Sequence, residues 1–118
     1  MSSKKFGLML SAGILMLGAC GEETPEAPEA ESGAASELLS NGDKTSFVFK
    51  EEGEYSIFCE PHPIMEMTVI VEEGADQSGE VAIDIANYAF SENNITVAPG
   101  TTIVWTNKEQ LEHNVSIK

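Results

Sequence analysis

The chain has 118 residues, of which 42% are hydrophobic and 22% are charged, and its formal net charge is −14. This length allows one domain. The acidic balance argues against nucleic acid and anionic membrane surfaces as targets, because both carry the same sign of charge. All 20 acidic residues lie after residue 20 with four lysines and no arginine, so that part carries −16. An acidic surface of this kind either keeps the protein soluble or binds a basic protein partner.

The first 19 residues predict an export signal. Lys4 and Lys5 precede an apolar run over residues 6–19, which is shorter than the roughly 20 residues a membrane-spanning helix needs. The run ends in Leu-Gly-Ala-Cys, which resembles a bacterial lipobox, with Cys20 as the residue that is lipidated and becomes the mature N-terminus. We therefore predict an exported, membrane-anchored lipoprotein. An ordinary secretory signal with an unrelated cysteine is the alternative.

Residues 20–35 predict an acidic tether. They contain five glutamates and two prolines among small residues, a composition that cannot bury enough apolar surface to order itself. Like charges and prolines extend such a segment. The folded domain is predicted to occupy residues 36–118, held away from the membrane by the tether.

From Ser46 onward the pattern is that of short β-strands. Apolar residues alternate with polar ones, or β-branched and aromatic residues cluster between turns, around Phe47–Phe49, Tyr55–Cys59, Met67–Val71, Val81–Ile85, Ile95–Val97, Thr102–Trp105 and Val115–Ile117. Residues 51–54 predict a hairpin turn between the first two strands, and residues 72–80 predict a loop. No amphipathic helix is found after residue 45. The pattern predicts an all-β sandwich or barrel.

One short run, Cys59-Glu60-Pro61-His62-Pro63-Ile64-Met65, contains three potential metal ligands. Thiolate and thioether are soft ligands, and a trigonal His2Cys set with a weak axial Met is typical of electron-transfer copper. Zinc would not select a thioether. Pro61 and Pro63 restrict the backbone on both sides of His62, so the loop is expected to be stiff. Taken alone, Cys59 could be a small buried hydrophobe, but its spacing from His62 and Met65 favours a ligand.

The fourth ligand must be a second imidazole, and the only other histidine is His113. With Cys20 lipidated, Cys59 has no partner for a disulfide, and a lone thiol in an oxidising compartment calls for an occupant such as a metal. The predicted site is therefore one type 1 copper ion bound by Cys59, His62, Met65 and His113.

These motifs resemble the cupredoxin family of the plastocyanin and amicyanin type. Cys59, His62 and Met65 match the family's short C-x2-H-x2-M loop, and Trp105-Thr106-Asn107 followed by His113-Asn114-Val115 matches the region of its first histidine. The family has these motifs in the opposite order. The resemblance thus implies a Greek-key β-sandwich with circularly permuted strand order, in which the loop over residues 72–80 joins the family's first and last strands at the pole away from copper.

The resemblance also implies roles around the ligands. Asn114 would form a hydrogen bond to the loop that starts at Cys59, and Asn107 would order the loop between Trp105 and His113. Bonds of this kind orient metal ligands. We predict closure within one chain as a monomer; two chains that exchange halves are the alternative, since domain swapping is a known route to dimers.

The predicted function is that of a one-electron carrier between exported redox proteins, not an enzyme. A closed four-ligand site does not readily admit a substrate, and no general base is evident. A c-type cytochrome or a terminal oxidase is the kind of partner the family suggests. A copper-binding carrier or buffer that delivers copper to an oxidase is the alternative. A structural domain with a decayed site is disfavoured by the intact ligand set.

Overall fold

The computed structural model describes residues 27–118, which contain eight β-strands and no helix. Within these residues no helix has the length and apolar character to cross a bilayer. The predicted export signal, Cys20 and the tether up to residue 26 lie outside the described part. The strands, in chain order, are β1 Lys44–Phe49, β2 Gly53–Phe58, β3 Glu66–Val71, β4 Glu80–Ala86, β5 Ala89–Phe90, β6 Asn94–Val97, β7 Thr101–Asn107 and β8 Ser116–Ile117.

The strands form two four-stranded sheets that pack as a sandwich. The first sheet has the order β1-β7-β4-β5, with β7 antiparallel to β1 and parallel to β4. The second has the order β8-β2-β3-β6, with β2 antiparallel to β8 and β3, and β6 parallel to β3. The predicted all-β sandwich is confirmed. Parallel neighbours within mainly antiparallel sheets show that the connections cross between the sheets.

The core lies between the sheets and is built from alternate residues of the strands. On the central strand β7, Thr101, Ile103, Trp105 and Asn107 are buried while the residues between them are half-exposed. This is the period-two pattern of a strand with one face inward. Trp105 packs at 6.2 Å and 6.3 Å between ring centroids against Phe47 and Phe49 of β1.

The predicted hairpin over residues 51–54 is wrong. β1 and β2 lie in different sheets, so the short connection carries the chain from one layer of the sandwich to the other. Gly53 has φ +151 at the start of β2. Phe49 and Tyr55 still meet, in an edge-to-face contact at 5.1 Å between ring centroids. The alternation of apolar residues is the same for strands that pair and strands that face each other.

Residues 28–39, called here the N-terminal strap, run along one edge of the sandwich, from β1 of the first sheet to β8 of the second. Ala30 donates to the Val48 carbonyl of β1 at 2.8 Å, and Leu39 donates to the His113 carbonyl at 2.7 Å. Ala30 and Leu39 are buried. The predicted tether through residue 35 therefore needs correction, since residues 28–35 are hydrogen-bonded to the sandwich. The strap pairs with the outer strands through its backbone, which needs no large apolar side chains. The amino-acid composition of residues 28–35 therefore gives no sign of this pairing.

The two ends of the sandwich differ. At one end, β2 leads into Cys59, β7 leads into the loop before His113, and the strap reaches His113. At the other end, the loop over residues 72–79 connects β3 to β4, and the strap meets Val48. We call these the ligand pole and the far pole. All the predicted ligands belong to the ligand pole.

Candidate metal centre

Cys59 is held at the point where β2 ends. Its side chain is fully buried. Its backbone N–H donates to the Met65 carbonyl at 3.3 Å, and its carbonyl accepts from the N–H of His62 at 3.1 Å. These bonds fold the chain back on itself immediately after the strand. The thiol is thus fixed by a rigid strand on one side and by a closed loop on the other.

The loop from Cys59 to Met65 is a compact turn. A third backbone bond, from the Met65 N–H to the His62 carbonyl at 2.9 Å, closes it. Pro61 and Pro63 are exposed, His62 is half-buried and Met65 is only 1% exposed. The predicted axial ligand therefore lies inside the protein in the ligand loop, while His62 forms the boundary between the site and solvent.

His113 is delivered from the opposite side of the ligand pole. After β7 the chain makes a loop over residues 108–112, which Asn107 orders with three hydrogen bonds. Its amide donates to the carbonyls of Leu39 and Leu111, each at 2.8 Å, and its carbonyl oxygen accepts from the N–H of Glu109 at 3.0 Å. Asn107 is fully buried and all of these groups are paired. His113 consequently enters the site fully buried.

Three donor atoms converge, although 54 residues separate Cys59 from His113. Cys59 Sγ lies 3.7 Å from His62 Nδ1 and 3.5 Å from His113 Nδ1, and the two Nδ1 atoms lie 3.2 Å apart. The centre of a triangle with these sides is about 2 Å from each corner, the distance at which imidazole nitrogen binds a first-row metal ion such as zinc. Cys59, His62 and His113 thus form a grouping that could hold one copper ion.

Asn114 ties the two halves of the site together. Its side-chain oxygen accepts from the backbone N–H of Glu60 at 2.8 Å, and its amide nitrogen donates to Glu60 Oε1 at 2.9 Å. The same amide lies 3.2 Å from Ser116 Oγ. Asn114 therefore links the residue after His113 to the residue after Cys59, which is the contact that the resemblance implies.

Glu109 was not found by sequence analysis. Its Oε2 accepts from His113 Nε2 at 2.7 Å, on the side of the ring facing away from Cys59. Desolvation acts to raise the pKa of Glu109, but hydrogen bonds from the Tyr88 backbone, His113 and the Asn87 backbone outweigh it and hold this pKa below its ordinary value.

Tyr88 was also missed. It lies in the turn between β4 and β5, where Asn87 has φ 55 and Tyr88 has φ 58. Asn tolerates this left-handed conformation, whereas a tyrosine in it costs about 1–3 kcal/mol. The turn places the Tyr88 ring edge-to-face with His62, 5.0 Å between ring centroids, and 6.2 Å from His113. The only sign of this turn in the sequence is Asn87, because asparagine is common in two-residue turns between strands.

Replacing His113 by alanine is expected to abolish the intense visible absorption of the copper-loaded protein, because it removes one corner of the triangle. Visible spectroscopy of purified H113A after addition of Cu(II) measures this. Leu111→Ala is the matched control, since Leu111 is an exposed residue of the same loop. An H113A protein with the wild-type spectrum would show that His113 is not a ligand.

Comparison with known proteins gives one family. Residues 18–72 and 77–118 match the family model described as copper binding proteins, plastocyanin/azurin family. No individual curated protein and no solved structure gives a significant match. The matched segments cover most of the chain and include Cys59, His62, Met65 and His113. With the fold and the donor triangle, this shows that the chain belongs to the plastocyanin/azurin family of copper-binding proteins.

Proposed function

We propose that this protein is a membrane-tethered mononuclear blue copper protein that carries one electron at a time between exported redox proteins. The observation that carries the proposal is the convergence of Cys59 Sγ, His62 Nδ1 and His113 Nδ1 within 3.7 Å of one another in a family of copper-binding proteins. Met65, buried in the same loop, is proposed as the weak axial ligand.

The bound copper ion would supply a reversible one-electron couple. The protein's contribution is to hold the ligand atoms still. The Cys59–Met65 loop is closed by three backbone hydrogen bonds and cross-linked to Asn114, and two prolines stiffen it. Ligands held this firmly move little when the charge of the ion changes, so reorganisation is small and electron transfer is fast.

The surface of the ligand pole supports contact with a protein partner. Four large hydrophobic side chains are exposed in the described part of the chain, and all belong to segments that meet there: Leu38, Ile64, Tyr88 and Leu111. Ile64 is 88% exposed beside His62. Exposed apolar residues gathered in one area mark interaction sites. His62 is the ligand at this surface, so the electron would enter and leave through its ring.

Exposed acidic residues neighbour this apolar area in the sequence. Glu37, Glu60 and Glu112 are exposed and lie next in sequence to residues of the ligand pole. An acidic surface favours a partner whose own contact surface is basic, because complementary charge raises the rate of encounter. A c-type cytochrome or a terminal oxidase with such a surface is the proposed class of partner.

The membrane anchor is proposed to be a lipid on Cys20. The strap pairs with Val48 at the far pole before it runs to His113. A tether that enters there would turn the ligand pole away from the membrane. The remaining tether, residues 20–27, would leave the domain close to the membrane surface, on the exported side.

A circular permutation is proposed to explain the order of the ligands. The Cys59–Met65 loop precedes His113, and the loop over residues 72–79 joins β3 to β4 at the far pole. The two segments matched by the family model are separated within this loop, between residues 72 and 77. A single chain with this connection completes its own sandwich, which supports a monomer over two chains that exchange halves.

Electron transfer is favoured over copper delivery. Cys59 and His113 are fully buried, and three of the proposed ligands lie in one closed loop. Such a site exchanges its metal slowly. Delivery would require the protein to give up copper in every cycle, whereas electron transfer requires the copper to stay.

The visible and electron-paramagnetic-resonance spectra of the full chain, purified in detergent and loaded with Cu(II), test the proposal. A trigonal His2Cys site with a weak axial Met predicts an intense visible band and narrow copper hyperfine splitting, which disappear on reduction and return on oxidation. A pale sample with ordinary tetragonal splitting would overturn it. Loss of copper to an apo-acceptor in place of redox cycling would favour delivery.

A further inference from the structure

The hydrogen bond between Glu109 and His113 fixes which nitrogen of the ring faces the metal site. Glu109 Oε2 lies 2.7 Å from His113 Nε2, and the His113 side chain has no exposed surface. A carboxylate is only an acceptor, so Nε2 carries the proton in the neutral ring. The lone pair is then on Nδ1, which lies 3.5 Å from Cys59 Sγ and 3.2 Å from His62 Nδ1.

Glu109 is itself held in place from three directions. Its backbone N–H donates to Asn107 Oδ1 at 3.0 Å, and its Oε2 also accepts from the N–H of Tyr88 at 3.2 Å. The Glu109 side chain is only 18% exposed. The carboxylate thus bridges the backbone of Tyr88 and the ring of His113. The surrounding ligand pole therefore holds the contact between Glu109 and His113 in place.

We propose that Glu109 is a positioning residue whose carboxylate, bonded to His113 Nε2–H, makes His113 a more basic ligand and lowers the reduction potential of the copper site. The proposal rests on the function proposed above. A carboxylate on the far nitrogen of a ligating imidazole raises the basicity of the near nitrogen. The more highly charged Cu(II) ion gains more from this than Cu(I), so the oxidised state is favoured.

Glu112 provides a natural comparison. It is adjacent to His113 in sequence and carries the same charge, but its carboxylate faces Ser40 Oγ at 3.5 Å and is exposed. Replacing Glu112 by glutamine removes one negative charge near the site without removing a bond to a ligand. The effect of such an exposed charge is screened by salt, whereas the effect of the direct, part-buried Glu109–His113 bond is screened much less.

The test compares Glu109→Gln with Glu112→Gln in the full chain. Glutamine keeps the shape and the acceptor oxygen of Glu109 but not its charge. We expect E109Q to weaken Cu(II) binding by about tenfold while Cu(I) binding changes little, in line with the effect of replacing such partners of metal ligands. For a one-electron couple this raises the reduction potential by about 59 mV. E112Q should shift it less, and its shift should vanish at high salt.

Direct voltammetry gives the potentials, and competition with chelators specific for each oxidation state gives the two affinities. Equal shifts in E109Q and E112Q, or an E109Q shift that salt removes, would overturn the proposal and leave Glu109 as a surface charge. Equal losses of Cu(I) and Cu(II) affinity would also overturn it, because they would indicate a structural role.

A second measurement does not depend on copper. Nitrogen-15 NMR of the imidazole rings in the metal-free protein reports which nitrogen carries the proton. We expect His113 to be protonated on Nε2 in the wild type and the two tautomers to be mixed in Glu109→Ala. A proton on Nδ1 in the wild type overturns the role of Glu109. A wild type with this Nε2–H tautomer but without blue copper would overturn the proposed function instead.

Discussion

Replacing Cys59 by serine is expected to remove the intense visible band entirely. The band requires a thiolate bound to copper, and Cys59 is the only free cysteine of residues 27–118. Its Sγ lies within 3.7 Å of both imidazole nitrogens, so the substitution removes the thiolate corner of the triangle. Visible spectroscopy of C59S loaded with Cu(II) measures the loss.

The second cysteine of the chain supplies the control. Cys20→Ser removes the other thiol, which lies outside the described residues, and should leave the band at full intensity. The metal-free C59S protein should still fold, since a buried hydroxyl in place of the thiol costs about 1–3 kcal/mol. A folded C59S protein that keeps the intense band would contradict the assignment of Cys59 as the ligand.

Replacing Trp105 by alanine is expected to lower the free energy of unfolding by about 3–5 kcal/mol, the usual cost of truncating a buried aromatic residue. Trp105 is fully buried on the central strand β7 and contacts Phe47 and Phe49. A domain of this size has about 5–15 kcal/mol of stability in total. Denaturant titration of the metal-free protein measures the change, because bound copper would stabilise the native state and mask it.

Trp105→Phe is the matched variant for this test. It keeps the ring contacts with Phe47 and Phe49, and the indole Nε1 that it removes has no hydrogen-bond partner among residues 27–118. It should therefore cost much less than W105A. If both variants lost the same stability, the aromatic packing between β1 and β7 would not be the source of the effect.

The strands could be predicted because each has one face in the core. Ile83 and Ile85 on β4, and Ile103 and Trp105 on β7, alternate with more exposed residues and are buried as expected. The hairpin prediction failed because alternation fixes which face of a strand is buried but not which strand is its neighbour. The sheet to which β2 belongs is decided by contacts with β3 and β8.

The three ligands Cys59, His62 and His113 could be predicted from the sequence because cysteine and histidine are rare in this chain and are typical metal ligands. Three potential ligands share one loop, and the chain has only two histidines. Glu109 and Tyr88 gave no comparable signal. They come from different connections, and only the fold brings the Tyr88 turn and the Glu109 carboxylate together around His113. Glutamate is common in this chain, so its identity alone did not distinguish residue 109 from the other acids.

The N-terminal strap has a consequence for the way copies of the protein meet at high concentration. β1 and β8 are each one of the two outer strands of their sheet, and unpaired outer strands are templates for pairing with a neighbouring molecule. The strap occupies the backbone groups of Val48 on β1 and of Val115 and Ile117 at β8. This edge of the sandwich is thereby closed to strand pairing, which protects the protein from aggregating through β1 or β8.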